Sequence, residues 1–229
     1  SFWIGEYSEE EMRTTPEAAV ADGIISLEMQ RANERAQRLI QVIKLRGSGF
    51  RSGRHGYRLS EDGITVFPRL ADPLSHESYG LSEDRISSGI PPLDEMLTPG
   101  YRQGSSTLVA GPSGAGKTLM GLHFIFNGVA SGEPGVIASL QENPIQLERM
   151  ARGFGWSLDD ERVAVMYRSP NDVYIDEWVY ELLDLVKVTG STRVLIDSLS
   201  DLHYAATDPV RFREFIYSLT QRLSRTGIS

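Results

Sequence analysis

Residues 106–126 read "STLVAGPSGAGKTLMGLHFIF", and this stretch decides the fold. Its first six residues, "STLVAG", are an apolar run of strand length. From Lys117 the apolar residues recur at helical spacing, and Gly132 supplies a natural stop. Between strand and helix lies "GPSGAGKT", 111–118, which matches the pattern G-x-x-x-x-G-K-[ST]. Glycines in such a loop let successive backbone N–H groups turn inward around phosphate oxygens. The helix that follows adds its partially positive N-terminus. The candidate phosphate-binding residues are therefore Gly111, Pro112, Ser113, Gly114, Ala115, Gly116, Lys117 and Thr118, with Leu119 next in line. Lys117 would reach the β and γ phosphates, and the Thr118 hydroxyl would sit on Mg²⁺. The bland alternative is a Gly-rich turn that merely opens a helix.

Working outward, strands alternate with helices. "GVIASLQE" reads as a strand, and "PIQLERMARGFG" as a helix opened by Pro144. "VAVMY" is a strand, and "IDEWVYELLDLVKVTG" a helix closed by Gly190. "RVLIDSL" is a strand, and "DPVRFREFIYSLTQRLSRTG" a helix with Pro209 near its start and Gly227 at its end. This order predicts an α/β fold with a mostly parallel sheet covered by helices on both faces. The near-continuous apolar runs suit strands buried on both sides.

A phosphate loop calls for an acidic partner that holds Mg²⁺ through its water shell. "RVLID" ends in Asp197, at the tip of an apolar strand, so the metal candidates are Thr118 and Asp197. Hydrolysis also needs a group that orients or deprotonates water. "GVIASLQE" ends in Gln141-Glu142, and Glu142 is the candidate base. Gln141 cannot take a proton at neutral pH, but a glutamine can orient water. Lys117 joins them as a catalytic candidate.

Upstream, residues 1–70 read as antiparallel strands with one wet face: "SFWIGEY", "VADGIISLEM", "RLIQVIKLR" and "YRLSEDGITVFPRL". Gly47-Ser48-Gly49 and Asp62-Gly63 are turn signals. The polar 31–38 stretch suits a solvated hairpin edge. Residues 71–88 look like a linker, with His76 exposed in it. In "IKLRGSG", 43–49, Lys44 and Arg46 flank a compact turn. Residue chemistry alone reads it as an exposed turn with solvated cations.

The bulk numbers set limits. The 229 residues allow one or two domains. Cys is absent, so no disulfide or thiolate metal site is available. No apolar run approaches the ~18 residues that would span a bilayer. The N-terminal stretch lacks the pattern of a signal peptide, so a cytoplasmic protein is the default reading. A net charge of −8 argues against nonspecific nucleic-acid binding.

Several motifs in order, "ISSGIPPLDEML", "GSSTLVAGPSGAGKT", "SLQENPIQLERMARGFGW" and "RVLIDSLSDL", resemble the KaiC-like family of RecA-superfamily P-loop ATPases. "VADGIISLEM…IKLRGSGFRSGRHGYRLSEDGITVFP" resembles the end of a KaiC domain. The resemblance implies a RecA-like core, ATP and Mg²⁺ as cofactors, and a ring of identical subunits, a hexamer, with a regulatory protein partner. It implies that Lys44 and Arg46 act across a subunit boundary near the γ-phosphate, with Leu45 and Ser48 beside the nucleotide. Phe154 would stack on the base. The family carries two adjacent glutamates where this chain has Gln141-Glu142. Where its clock kinase autophosphorylates a Ser-Thr pair, this chain has Ala18-Ala19, so that autokinase activity is not expected.

By the same resemblance, residues 1–70 would close one core, 71–88 would link, and 89–229 would open the next. The two pieces would complete one core in permuted order or by swapping, or else each would sit on its own ring tier of a longer two-domain protein. Two other functions compete with this reading. A RecA- or RadA-like DNA recombination ATPase should carry basic loops after the acidic strand, and "SLSDLHYAATDPV" has no Lys or Arg. A nucleotide-gated binding module with little turnover would follow if Gln141 impairs hydrolysis.

Overall fold

The computed structural model describes residues 1–8, 10–32, 35–70, 82–206 and 208–229. They form two compact units, Ser1–Arg69 and Leu70–Ser229. The expected position of His76, with most of the expected linker, lies outside the described residues.

In the first unit, a short helix α1 (Pro16–Val20) precedes four strands, β1 (Gly23–Ala32), β2 (Arg35–Leu45), β3 (Arg54–Ser60) and β4 (Gly63–Phe67). They form one antiparallel sheet in chain order. The expected turns fall where the sequence puts them. Gly47 has φ +76°, and Gly63, with φ +108°, closes the two-residue turn after Ser60. Two expectations fail. Residues 1–7 form no strand, and Phe2, Trp3 and Ile4 stand exposed, because no ladder partner lies beside them among the described residues. The period-2 alternation of β1 is real, but Ile25, Leu27 and Met29 are on the open face while Ser26 is buried. Periodicity sorts side chains onto two faces; it does not say which face is covered.

The second unit begins with a two-strand ribbon, β5 (Arg85–Ile86) and β6 (Tyr101–Arg102), around α2 (Pro91–Leu97). The expected linker thus gives way to structure before residue 88. Then come α3 (Lys117–Ala130), β7 (Gly135–Ser139), α4 (Pro144–Arg152), β8 (Val163–Tyr167), α5 (Ile175–Thr189), β9 (Arg193–Asp197), α6 (Leu199–Ala205) and α7 (Pro209–Arg225). The sheet is parallel with order β8-β7-β9. Every residue of β7 is buried. Val136, Ala138 and Leu140 join a core with Trp178, Leu182, Phe215 and Leu219 of α5 and α7. Ile137, on the opposite face, joins Leu122, Ile125, Phe126 and Leu147 of α3 and α4. Each buried Val, Leu, Ile or Phe among them contributes about 1.5–3 kcal/mol. This is the α/β core expected from the alternation.

Helix ends follow their sequence signals. Asn143 and Gln146 form a reciprocal capping box at α4, and Gly190 ends α5 at φ +63°. Asp208 caps α7 by accepting from the Val210 N–H at 2.8 Å. Arg211 of α7 is ion-paired with buried Asp176 of α5.

One central expectation is corrected. "STLVAG", 106–111, is not a strand, and Leu108 is 75% exposed. At the start of β9, on the edge away from β7, Ser229 takes the ladder position. Its N–H donates to Thr192 O (3.0 Å), and its carbonyl accepts from Val194 N–H (2.8 Å). An apolar run becomes a strand only where a neighbour offers hydrogen bonds.

Helix α3 lies tightly on β9 because two of its residues are glycine. A Cβ on Gly121 would meet Leu195 at 2.5 Å, and one on Gly128 would meet Arg193 at 2.5 Å. Arg193 itself is buried. It donates through Nε to Glu133 (2.7 Å) and through one terminal nitrogen to the carbonyls of Phe124 (2.8 Å) and Ser87 (2.9 Å). Its guanidinium carbon stands 4.7 Å from the Phe124 ring centroid.

Beside this clamp, Asp94 accepts from the Ser87 hydroxyl (2.5 Å) and the Ser88 N–H (2.8 Å). Burial pushes its carboxyl up, but the hydrogen bonds from Ser87 and Ser88 and the charge of Arg193 hold it below the ordinary range. A carboxyl depressed in the folded state stabilises the fold above its unfolded value of about 4, and that contribution disappears as pH falls through the folded value. Asp94→Asn is therefore expected to lower stability at pH 7 and to approach the parent protein below about pH 4. Urea midpoints measured from pH 7 downward check this; a gap that stays constant with pH would contradict it.

Candidate nucleotide site

The loop 111–116 runs into α3 with Gly114 at φ +79° and Gly116 at φ +87°. Both need the left-handed region that glycine enters freely. The space where their side chains would stand is open. No side chain caps the start of α3, so its first N–H groups are available to an anion. Lys117 arches back over the loop, its Nζ donating to Pro112 O at 2.9 Å.

Thr118 and Asp197, separated by 79 positions, meet directly. The Thr118 hydroxyl donates to Asp197 Oδ2 at 2.5 Å. Asp197 is buried at the end of β9, and Ser198, the next residue, caps α6. The two strand ends align, with Ser139 of β7 opposite Asp197. Gln141 and Glu142 follow on this same rim. Their turn is fixed by Ser139, whose hydroxyl donates to Glu142 O (2.7 Å) and accepts from the Glu142 N–H (3.1 Å). The Leu140 N–H donates to Asp197 O at 2.6 Å. Loop, helix start, acid and Gln-Glu pair thus gather at the carboxyl ends of the parallel strands, where ligands bind in open α/β sheets.

A hydroxyl and a carboxylate suit Mg²⁺, which prefers oxygen ligands and keeps several waters. Among the described residues no group of three or more His, Asp or Glu could form an all-protein cage, so an ion here would take its remaining ligands from phosphate and water.

Phe154 is half-exposed. It stacks on Trp156 at 5.1 Å, and Trp156 stacks in turn on Phe126 at 4.9 Å. His123 meets Trp156 edge-on at 4.7 Å, as a helix-packing histidine. His203 lies against Phe212 of α7 at 4.8 Å. In the first unit, Lys44 and Leu45 end β2, and Arg46 and Ser48 lie in the turn beyond it. Lys44 Nζ donates to the carbonyls of Ala18 (3.1 Å) and Ala19 (3.2 Å). Arg46 donates to Asp22 Oδ1 and to Ala19 O, each at 3.2 Å. The sequence alone does not show these partners or the lock at Ser139. An Asp directly before a strand whose partner strand ends in two cations was the available signal.

A protein-family model described as "ATPase: KaiC" matches residues 4–71 and 86–229. The chain belongs to the KaiC ATPase family. Among curated KaiC relatives, the "Circadian clock protein KaiC3" of Synechocystis sp. is 32% identical over 217 residues, covering 93% of this chain and 42% of that protein. The "Circadian clock oscillator protein KaiC" of Rippkaea orientalis is 31% identical over 210 residues, covering 89% and 39%. That of Synechococcus elongatus is 29% identical over 210 residues, also covering 89% and 39%. The chain thus spans about two-fifths of the length of these KaiC proteins. Membership in this ATPase family implies nucleotide binding. Among the described residues no helix is long and apolar enough to cross a membrane.

Proposed function

We propose that this chain binds and hydrolyses ATP with Mg²⁺ as part of a cytoplasmic KaiC-like ring, a hexamer, that signals to a protein partner through its assembly state. The observation that carries the reading is the meeting of Thr118 and Asp197 beneath an uncapped helix start. In this reading the loop amides and Lys117 hold the phosphates, Lys117 exchanging Pro112 O for a phosphate oxygen. Thr118 and Asp197 hold Mg²⁺, which when bound neutralises charge on the phosphate oxygens. Glu142 takes the proton of the attacking water and Gln141 orients it, while Phe154 offers its open face to the base. Lys44 and Arg46, with Leu45 and Ser48, come from the neighbouring subunit. We read the two family-matching stretches, 4–71 and 86–229, as the closing segment of one core and the P-loop part of the next, joined in permuted or swapped order. The DNA recombination reading gains nothing from the fold, since α6 begins directly after Ser198 and its residues 199–205 carry no Lys or Arg.

Mass in solution with and without Mg-ATP, beside a phosphate-release assay, tests the proposal. The expected result is a hexamer-sized species with nucleotide and steady phosphate release. A ring without phosphate release would favour a nucleotide-gated module. Unchanged mass and no release at saturating Mg-ATP would overturn the reading.

A further inference from the structure

The segment before β1 holds both cations of the 43–49 turn. Asp22 directly precedes β1, and the β1–β2 register sets Gly23 opposite Leu45 and Ile24 opposite Lys44. The ladder continues one step further, with the Arg46 N–H donating to Asp22 O at 2.8 Å. The Asp22 carboxylate also takes one arm of the Arg46 guanidinium, at 3.2 Å. Its other arm and the Lys44 ammonium share a single acceptor, Ala19 O, each at 3.2 Å. The two cationic nitrogens therefore stand no farther apart than twice that distance, a span one phosphoryl group can bridge with a hydrogen bond on each side. An ammonium has three N–H donors and a guanidinium five. After these bonds Lys44 keeps one and Arg46 keeps three.

The Arg46 and Asp22 side chains are 57% and 84% exposed, so their pairing adds little to stability. Its effect is on geometry. Two long, rotamer-rich side chains are fixed around one oxygen before any anion arrives, and the like-charge repulsion of that arrangement is offset by Asp22. We propose that Asp22, with the Ala18 and Ala19 carbonyls, is a positioning residue that presets Lys44 and Arg46 for phosphate oxygens. This rests on the reading of Lys44 and Arg46 as phosphate-facing. Backbone carbonyls do the holding at 18 and 19, so alanine serves there as well as a hydroxyl-bearing residue would.

The test is Asp22→Ala, Asp22→Asn and the double variant Lys44→Ala/Arg46→Ala, in the full chain. Expected for Asp22→Ala are about a tenfold loss in kcat, KM within about twofold, an unchanged melting temperature and an unchanged ring mass. Asp22→Asn, which still accepts a hydrogen bond, should recover part of the loss. In nucleotide-free protein, the Arg46 guanidinium ¹⁵N–¹H resonances should be dispersed in the parent and averaged in Asp22→Ala. Parental kcat or raised turnover in Asp22→Ala would overturn the proposal, as would a kcat loss matched by loss of melting temperature or ring mass. If the double variant loses turnover while Asp22→Ala keeps it, the proposal alone falls. If the double variant turns over normally, the phosphate-facing reading falls and takes the proposal with it.

Discussion

Lys44→Ala/Arg46→Ala is expected to slow phosphate release from Mg-ATP by about 10³-fold or more. Cations fixed beside a transferring phosphoryl group stabilise the charge that spreads over its oxygens. A contribution of that kind is worth roughly 4–7 kcal/mol of barrier. Neither residue belongs to the phosphate loop, so ATP should still bind. A mixing experiment asks whether they act across a boundary. In the proposed ring, assemblies of the double variant would lack the cations, and those of Lys117→Ala the loop lysine. Co-assembled, some interfaces pair an intact loop from one chain with intact cations from the next. Recovered turnover on mixing is the expected outcome. Two inactive variants that stay inactive together, despite shared rings, would mean that the cations serve their own chain or none.

The second large effect concerns the rim. Glu142→Gln is expected to cost about 10²–10⁴-fold in turnover, the usual worth of a positioned acid or base. The substitution keeps the size of the side chain and leaves the backbone lock at Ser139 untouched. ATP affinity and ring mass should therefore hold while kcat falls. Single-turnover phosphate release checks this directly. An unchanged rate would remove Glu142 from its role and leave Gln141, or a residue from the neighbouring chain, to handle the water.

Much of the second unit was legible because its signals are local and mutually consistent. Pro144 and Asn143, Gly190, and Asp208 with Pro209 mark helix ends through chemistry confined to a few residues. "GVIAS" and "RVLID" have the apolar continuity of strands covered on both faces. Helix α6 is not legible in the sequence because a seven-residue helix shows barely two turns of periodicity. Residues 1–7 and 106–111 depart from the strand expectation for a shared reason. A strand needs partners, and partners are set by topology rather than by the segment itself. At the site, the motif located Lys117 and Thr118, and a strand-tip acid located Asp197. That both would serve one Mg²⁺ is an expectation from fold logic; their direct hydrogen bond across 79 positions is visible only in the fold. Arg193 was invisible because a buried arginine looks, in a sequence, like any charge at a strand start. Only Gly121 and Gly128, spaced along one face of α3, hinted that something pressed closely there.

Helix α3 is bolted to β9 at two places. The Thr118 hydroxyl is tied to Asp197 near its first turn, and the Phe124 carbonyl is tied to Arg193 further along. The bolts are six residues apart on the helix, about 9 Å, and four residues apart on the strand, about 13 Å. With glycine at both points of closest approach, the two elements cannot slide or tilt against each other without breaking a buried bond. Under the proposed turnover, helix and strand would therefore move as one lever arm.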